Sequence, residues 1–547
     1  MAAPAQPSMT FDLLIRNGTI YDGRGGAPYS GDIAINGDKI VAIGAAGAIE
    51  DASAGTVIDA AGLAVAPGFI DVLSHAYFTL LHDGRGLSAL LQGVTTTVFG
   101  EGSSMGPIHV EDQARMRAQD PALDFAVEWT SLAEYLAYAE QHGIALNVAS
   151  YIGATSLRMY VAGHENRPLS SAELDTVSGL VRDEMSAGAL GIGSSLIYPP
   201  AFFASTDELI AMCRAAAPFG GRYISHMRNE GLGLLDGVAE LTRIALEAGV
   251  PAEIYHLKAS GQDAWPNMAK AIEAVETARA AGLAISADMY TYTAGATGLS
   301  NCIPPWFHEG GPEALYARLA DPRVRAEIRQ AITSTRDGWE NLYANAGTPE
   351  NILLQQTRTP ELRRFQGKTL AEAATMLGID PLDALMDLVR DDRSRITTAY
   401  FMMSEENVQL GLRQPWVSLG SDAGAVAAEG AFLTRAVHPR TYGNFARLLG
   451  RYVRDEQLMP LEEAVWRMTS LPADNLGLDR RGRLLPGRFA DLVIFDPASV
   501  SDCATYAEPH QYATGIRDVI VNGQVEVRDG AFSGAFAGRA LYGPGRR

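Results

Sequence analysis

Cysteine is scarce: Cys213, Cys302 and Cys503 are the three in a chain of 547 residues. They lie far apart and form no CxxC pair, which argues against a disulfide framework and against a thiolate zinc site. Basic residues are also short, with 44 Lys+Arg against 64 Asp+Glu and a formal charge of −20. So acidic a chain lacks the basic face that phosphate neutralisation requires, so nucleic acid is not an expected partner. No window approaches the roughly 18 consecutive apolar residues of a membrane span, so no membrane partner is expected. A Walker motif, a GxGxxG fingerprint, a fixed-period repeat and low-complexity tracts are likewise missing. The opening MAAPAQPSMTFDLLIRNG has neither a positive n-region nor an apolar stretch, the pattern of a cytoplasmic chain. Were Ala2–Pro7 the remnant of a removed leader, the protein would be periplasmic or secreted.

What is present is ordinary globular composition, 47% hydrophobic and 20% charged, long enough for about three domains or one large barrel with attachments. Both ends read as short strands with turns: FDLLIRNGTIYDG and GDIAINGDKIVAIG first, then ADLVIFDPASV and IRDVIVNGQVEVRDGAF. They predict a β-sandwich built from residues 1–65 and 476–547. In the middle, 66–475, apolar β-rich runs alternate with Ala- and Glu-rich helical stretches. VAPGFIDVLSH, VTTTVFGEG, IALNVASYIG, GALGIGSSLIY, GGRYISHMRNE, PAEIYHLKASG, LAISADMYTYTAG and WVSLGSDAG supply eight strands. Eight βα units predict an α/β fold, a (β/α)₈ TIM barrel. The stretch between strands seven and eight, about 299–414, is too long for a simple connection and predicts an inserted subdomain or lid.

In such a barrel the chemistry collects at the C-terminal strand ends. Strand one ends in Asp71, Leu73 and His75, strand two in Glu101, strand four in Tyr198, and strand five in His226, Arg228 and Glu230. Strand six ends in His256 and Lys258, strand seven in Asp288, Tyr290 and Tyr292, strand eight in Asp422. Of ten histidines only three fall at these ends. Imidazoles and carboxylates on separate strand ends are the ligands Zn²⁺ takes. Any one histidine taken alone is more often a satisfied core or surface residue; the shared placement is what lifts His226 and His256 above that.

The stretches APGFIDVLSH, QGVTTTVFGEG, GALGIGSSLIYPP, YISHMRNEG, IYHLKASG, ADMYTYTAG, LGSDAG, HPRTYGNFARLLGRYVR, MTSLPADNLGL and GRFADLVIFDP resemble the amidohydrolase superfamily, and within it the D-aminoacylase branch. The resemblance runs from about Phe11 to Arg539 and implies a barrel flanked by a sandwich of both termini. It also implies that His226 and His256 bind zinc and that Asp422 moves protons between water and the leaving amine. Lys258, Tyr198 and one of Tyr290 or Tyr292 would hold the substrate's carboxylate and amide oxygen. Arg228 is a further substrate-binding candidate, or else pairs with Glu230 to orient His226.

Two departures stand out. The family's His-x-His on strand one is here Leu73-Ser74-His75, and leucine cannot ligate a metal. The strand-two cysteine of D-aminoacylases is missing, with Glu101 and Gly102 in its neighbourhood. A carboxylate can replace a thiolate on zinc. The sequence therefore predicts about one Zn²⁺ per chain, held by Glu101, His226 and His256, with His75 in or beside the shell and Asp422 handling protons. The expected activity is hydrolysis of a small-molecule amide, an N-acyl-D-amino acid, by metal-activated water. Cyclic amides, carbamates or xenobiotic esters are the alternative substrates, and a non-hydrolytic small-molecule-binding relative is the alternative from another class. A homo-oligomer is left open.

Overall fold

The computed structural model describes residues 10–49, 54–117, 125–334 and 338–546. The possible leader remnant Ala2–Pro7 lies outside the described residues. Eight parallel strands form the centre: β1 (Phe69–Asp71), β2 (Val94–Phe99), β3 (Asn147–Ser150), β4 (Gly191–Ser195), β5 (Arg222–His226), β6 (Ala252–Ile254), β7 (Ile285–Met289) and β8 (Val417–Leu419). Ladders run β1 to β2 to β3 and, through Ile152–Gly153, from β4 to β8. A parallel bridge between Ser74 and Ala423 and the Asp422 N–H to Leu73 carbonyl bond (2.9 Å) join β8 to β1, closing the barrel. The residues of β2 and β4 are buried on both faces, as parallel strands under a ring of helices must be.

The helices begin and end where the chain signals it. Ser170 and Glu173 form a capping box at the start of Ser171–Ala187, satisfying amide groups that the first turn leaves unpaired. Gly188, at φ 114°, stops the same helix and turns the chain into β4. The buried apolar face, including Val177, Val181 and Met185, packs on the barrel. Among the described residues no helix is long and apolar enough to cross a membrane.

The two chain ends meet in one nine-stranded sheet, in which Leu492–Phe495 of the C-terminal part pairs with Ala64–Pro67 of the N-terminal part. The expected sandwich is thus, in its hydrogen bonding, a single sheet. Its own core unites Leu13, Ile33 and Ile58 with Leu492 and Ile520. A buried polar knot ties this sheet to the base of the barrel. Asp491 pairs with Arg481 and accepts from the Asn522 amide (2.8 Å), while Asn522 Nδ2 donates to Asn147 Oδ1 at the start of β3 (2.7 Å).

Between β7 and β8 the chain leaves the barrel and builds a second core. Ala294–Gly298 and Ile352–Gln356 flank Thr397–Phe401 in a three-stranded antiparallel sheet covered by helices Pro312–Leu319, Leu370–Leu377 and Pro381–Asp392. Leu299, Leu319, Ile328, Leu385 and Tyr400 are buried there, apart from the barrel core. The sheet starts at Ala294, before the loop that spacing alone marks out, because the strand that follows β7 pairs within the insertion.

Removing the carboxylate of the polar knot leaves Arg481 as a buried, unpaired cation. Asp491→Ala is expected to destabilise the protein by about 3–5 kcal/mol, read as a lowered midpoint in urea or thermal unfolding. The helical signal of the insertion should be lost last if its core folds separately.

Candidate functional site

The C-terminal strand ends surround a cavity of about 460 Å³ whose lining includes His75, Glu101, Tyr198, His226, His256, Lys258, Tyr290 and Asp422. Glu101 stands at its floor. It follows β2 between Gly100 (φ 109°) and Gly102 (φ 68°), two left-handed positions that let the chain turn tightly against its neighbours. A Cβ at Gly100 would sit 2.5 Å from the Tyr151 carbonyl oxygen, and one at Gly102 would sit 2.6 Å from Ser195 Cβ. That turn aims the Glu101 carboxylate across the barrel axis.

Its two oxygens face different partners. Oε1 lies 2.8 Å from His226 Nδ1 and 3.4 Å from His256 Nε2, and it accepts from Ser195 Oγ at 3.2 Å. Oε2 lies 3.1 Å from His75 Nε2. Burial pushes the Glu101 carboxyl up, but hydrogen bonds from the three imidazoles outweigh it and hold the group well below the usual carboxylate range. His226 closes β5, whereas His256 comes two residues after β6 with φ 37°. Asp422 has φ 50°. Such backbone angles cost of order 1–3 kcal/mol in a residue with a Cβ and persist where surrounding structure imposes them.

Behind the two imidazoles sits a second carboxylate. Glu230 Oε1 is 3.0 Å from His256 Nδ1 and Oε2 is 3.4 Å from His226 Nε2, so each ring lies between Glu101 and Glu230. Lys258 Nζ donates to both Glu230 oxygens at 2.7 Å and lies 2.7 Å from His256 Nδ1. For Glu230, burial acts upward, and the Lys258 charge and then the histidines bring it down below its ordinary value. For His256, burial and Lys258 act downward, yet Glu230 and Glu101 win and the ring is pushed up to about 10.

Asp422 ends the chain of contacts. Its Oδ1 is 2.9 Å from His75 Nε2 and its Oδ2 is 2.8 Å from Arg440 Nη2. Burial raises this carboxyl, but the Arg440 guanidinium, with the His75 hydrogen bond, holds it below the usual range. Arg440 is itself buried, and among the described residues its Nε and Nη1 have no hydrogen-bond partner.

Two expected residues face elsewhere. Arg228 does not pair with Glu230; its guanidinium holds Glu240 (2.9 Å) and the Phe202 and Ala204 carbonyls (2.9 and 3.0 Å), bracing the loop after β4. Tyr292 packs under the Arg447 guanidinium, with its hydroxyl 3.4 Å from Asp502, while Tyr290 faces the cavity. Leu73 is buried in an apolar cluster with Val98, Tyr151 and Ile224, so strand one offers His75 alone. Arg440 was not singled out from sequence. It sits in HPRTYGNF, and no spacing rule says that the guanidinium of that motif reaches strand eight.

The donors fit a divalent ion. One oxygen of Glu101 and one nitrogen each of His226 and His256 lie within 4.8 Å of one another, buried, and Glu101 groups equally with His75 and Asp422. Imidazole and carboxylate donors of this kind suit Zn²⁺, and the outer nitrogen of His256, 3.0 Å from Glu230, has the orienting partner that metal-binding histidines need. Replacing that carboxylate by Glu230→Gln should weaken metal affinity about 10–100-fold, measured by competition with a chromophoric chelator.

The chain is 36% identical over 538 residues to a D-aminoacylase of Alcaligenes xylosoxydans xylosoxydans, covering 98% of both chains. A solved D-aminoacylase, described with a binuclear metal centre, one-metal activation and second-metal attenuation, superposes with a TM-score of 0.80 at 33% identity, over 97% of this chain and 100% of that one. The N-acyl-D-glutamate deacylase of Bordetella bronchiseptica, complexed with zinc and a phosphonate mimic of the tetrahedral intermediate, gives 0.79 at 29% identity over 97% and 100%. The sequence profile of the Amidohydrolase family matches residues 56–527, and the chain belongs to that family.

Proposed function

We propose that the protein hydrolyses the amide bond of N-acyl-D-amino acids with one divalent ion, zinc by the donor set, held by Glu101, His226 and His256. The observation that carries this reading is the convergence of these three groups on one buried point beside Asp422. The likeness to D-aminoacylase supplies the substrate class and its stereochemistry. When bound, such an ion supplies Lewis acidity, polarising a carbonyl and lowering the pKa of water towards 7.

The chain's own residues then have distinct tasks. Asp422, ionised and aimed by His75 and Arg440, takes a proton from the attacking water and returns it to the leaving amine nitrogen. Tyr198 accepts from Thr297 Oγ1 at 2.9 Å, which leaves its own O–H to donate to oxyanion charge developing on the amide oxygen. Lys258 is engaged on both oxygens of Glu230, so holding the substrate's α-carboxylate falls to the Tyr290 hydroxyl of the lining, with the buried Arg440 guanidinium, 4.5 Å over that ring, supplying positive charge behind it. Leu73 gives the second cluster, His75, Glu101 and Asp422, no further donor, which favours a single ion.

Metal analysis of purified protein should find about one tightly held ion per chain; two would overturn the single-ion reading. A chelator should abolish turnover, and added zinc should restore it. Asp422→Asn should cost about 10²–10⁴ in kcat with metal content unchanged. A panel of N-acetyl-D- and N-acetyl-L-amino acids and cyclic amides should show turnover of the D-series, and turnover of the cyclic amides alone would reject the assignment.

A further inference from the structure

The cavity lining contains three carboxylates, Glu101, Glu230 and Asp422, and all belong to the cluster already described. It contains two Lys or Arg side chains. Lys258 is neutralised by Glu230. The other, Arg395, comes from the insertion and forms no ion pair among the described residues. Its guanidinium lies over the Tyr198 ring at 5.1 Å, and Nη2 donates to Thr297 Oγ1 at 3.1 Å. Tyr198 in turn stands edge-on to His226 at 5.2 Å, so a single aromatic ring separates Arg395 from the metal cluster.

The chain holds this arginine in place at some cost. Arg393 (φ 47°) and Ile396 (φ 52°) flank it in left-handed conformations, and a β-branched residue there is strained. The turn is fixed by Ser300 N–H to the Arg395 carbonyl (3.2 Å), Leu299 N–H to the Ile396 carbonyl (2.8 Å) and Ile396 N–H to Ser394 Oγ (3.1 Å). Gly298 makes the approach possible, since a Cβ there would lie 2.8 Å from Arg395 Cβ. The neighbouring Arg393 pairs with Glu313, away from this role. The two histidines of the same wall, His164 and His308, are pushed down by burial and stay neutral, so Arg395 carries the wall's positive charge.

We propose that Arg395 sets substrate specificity by holding a second carboxylate, one carried by the substrate in addition to its α-carboxylate. A guanidinium on a cavity wall with no ion-pair partner binds a planar anion in preference to a neutral isostere. The second carboxylate belongs either to an acidic amino-acid side chain or to a dicarboxylic acyl group. The inference rests on the amide-hydrolase reading of the site.

The test compares kcat/KM of the zinc-loaded full chain for two pairs: N-acetyl-D-glutamate against N-acetyl-D-glutamine, and N-succinyl-D-alanine against N-acetyl-D-alanine. One pair should favour its charged member by about tenfold or more, and that pair names the source of the carboxylate. Arg395→Met should reduce this ratio at least about tenfold, whereas Arg395→Lys, which keeps the charge but not the fork, should retain part of it. Thermal unfolding of both variants checks that the turn is intact. Absence of a charged preference in both pairs, or a preference that survives Arg395→Met, overturns the inference. If no amide is hydrolysed, it is the function reading that fails. Calorimetry of D-glutamate against D-glutamine, and of succinate against succinamate, then decides on Arg395 alone. Discrimination lost in Arg395→Met upholds the inference, and no discrimination overturns it.

Discussion

An ionised carboxylate buried where three imidazoles meet is the constraint around which this barrel is arranged. Moving a charge of that kind out of water costs several kcal/mol, which only close partners on every side can offset. Glu101 has them in His75, His226, His256 and Ser195, drawn from strands one, five, six and four. The neighbours of those partners follow suit. Glu230 and Lys258 meet the outer nitrogen of His256, and Arg440 compensates Asp422. Removing any one group therefore strands another, and the left-handed backbones at His256 and Asp422 are tolerated because the network fixes both ends.

Much of this was legible in the sequence, for a physical reason. Parallel barrel strands are short apolar runs, so a polar residue just past each run must emerge at the C-terminal mouth. That rule brought His75, Glu101, His226, His256 and Asp422 together without any knowledge of contacts. It fails one or two residues further on, where side-chain direction depends on loop geometry. Arg228 and Tyr292 fall on that side: each follows a strand end, yet one braces a loop and the other packs under Arg447. Arg440 and Arg395 were hidden for the opposite reason. They come from segments with no strand-end position, and tertiary folding alone carries Arg440 to Asp422 and Arg395 to the cavity wall.

The fold divides its labour between three cores. The terminal sheet and the barrel are locked by the Asp491 knot at the end away from the chemistry, so stability there is independent of the site. The insertion has separate apolar packing and contributes one wall of the cavity, including Thr297, Arg395 and Tyr400. The proposed metal ligands thus sit at the ends of barrel strands, while one wall of the cavity belongs to a module with a core of its own.

Gly102 bears on how this site could change over generations. Its φ of 68° and the 2.6 Å separation between a notional Cβ and Ser195 Cβ mean that a cysteine arising there would be strained and would clash at once. Ser195 also donates to Glu101, so shrinking it to make room would strip the carboxylate of a partner. A sulfur ligand at position 102 therefore requires the turn to be reshaped as well as the side chain to be exchanged.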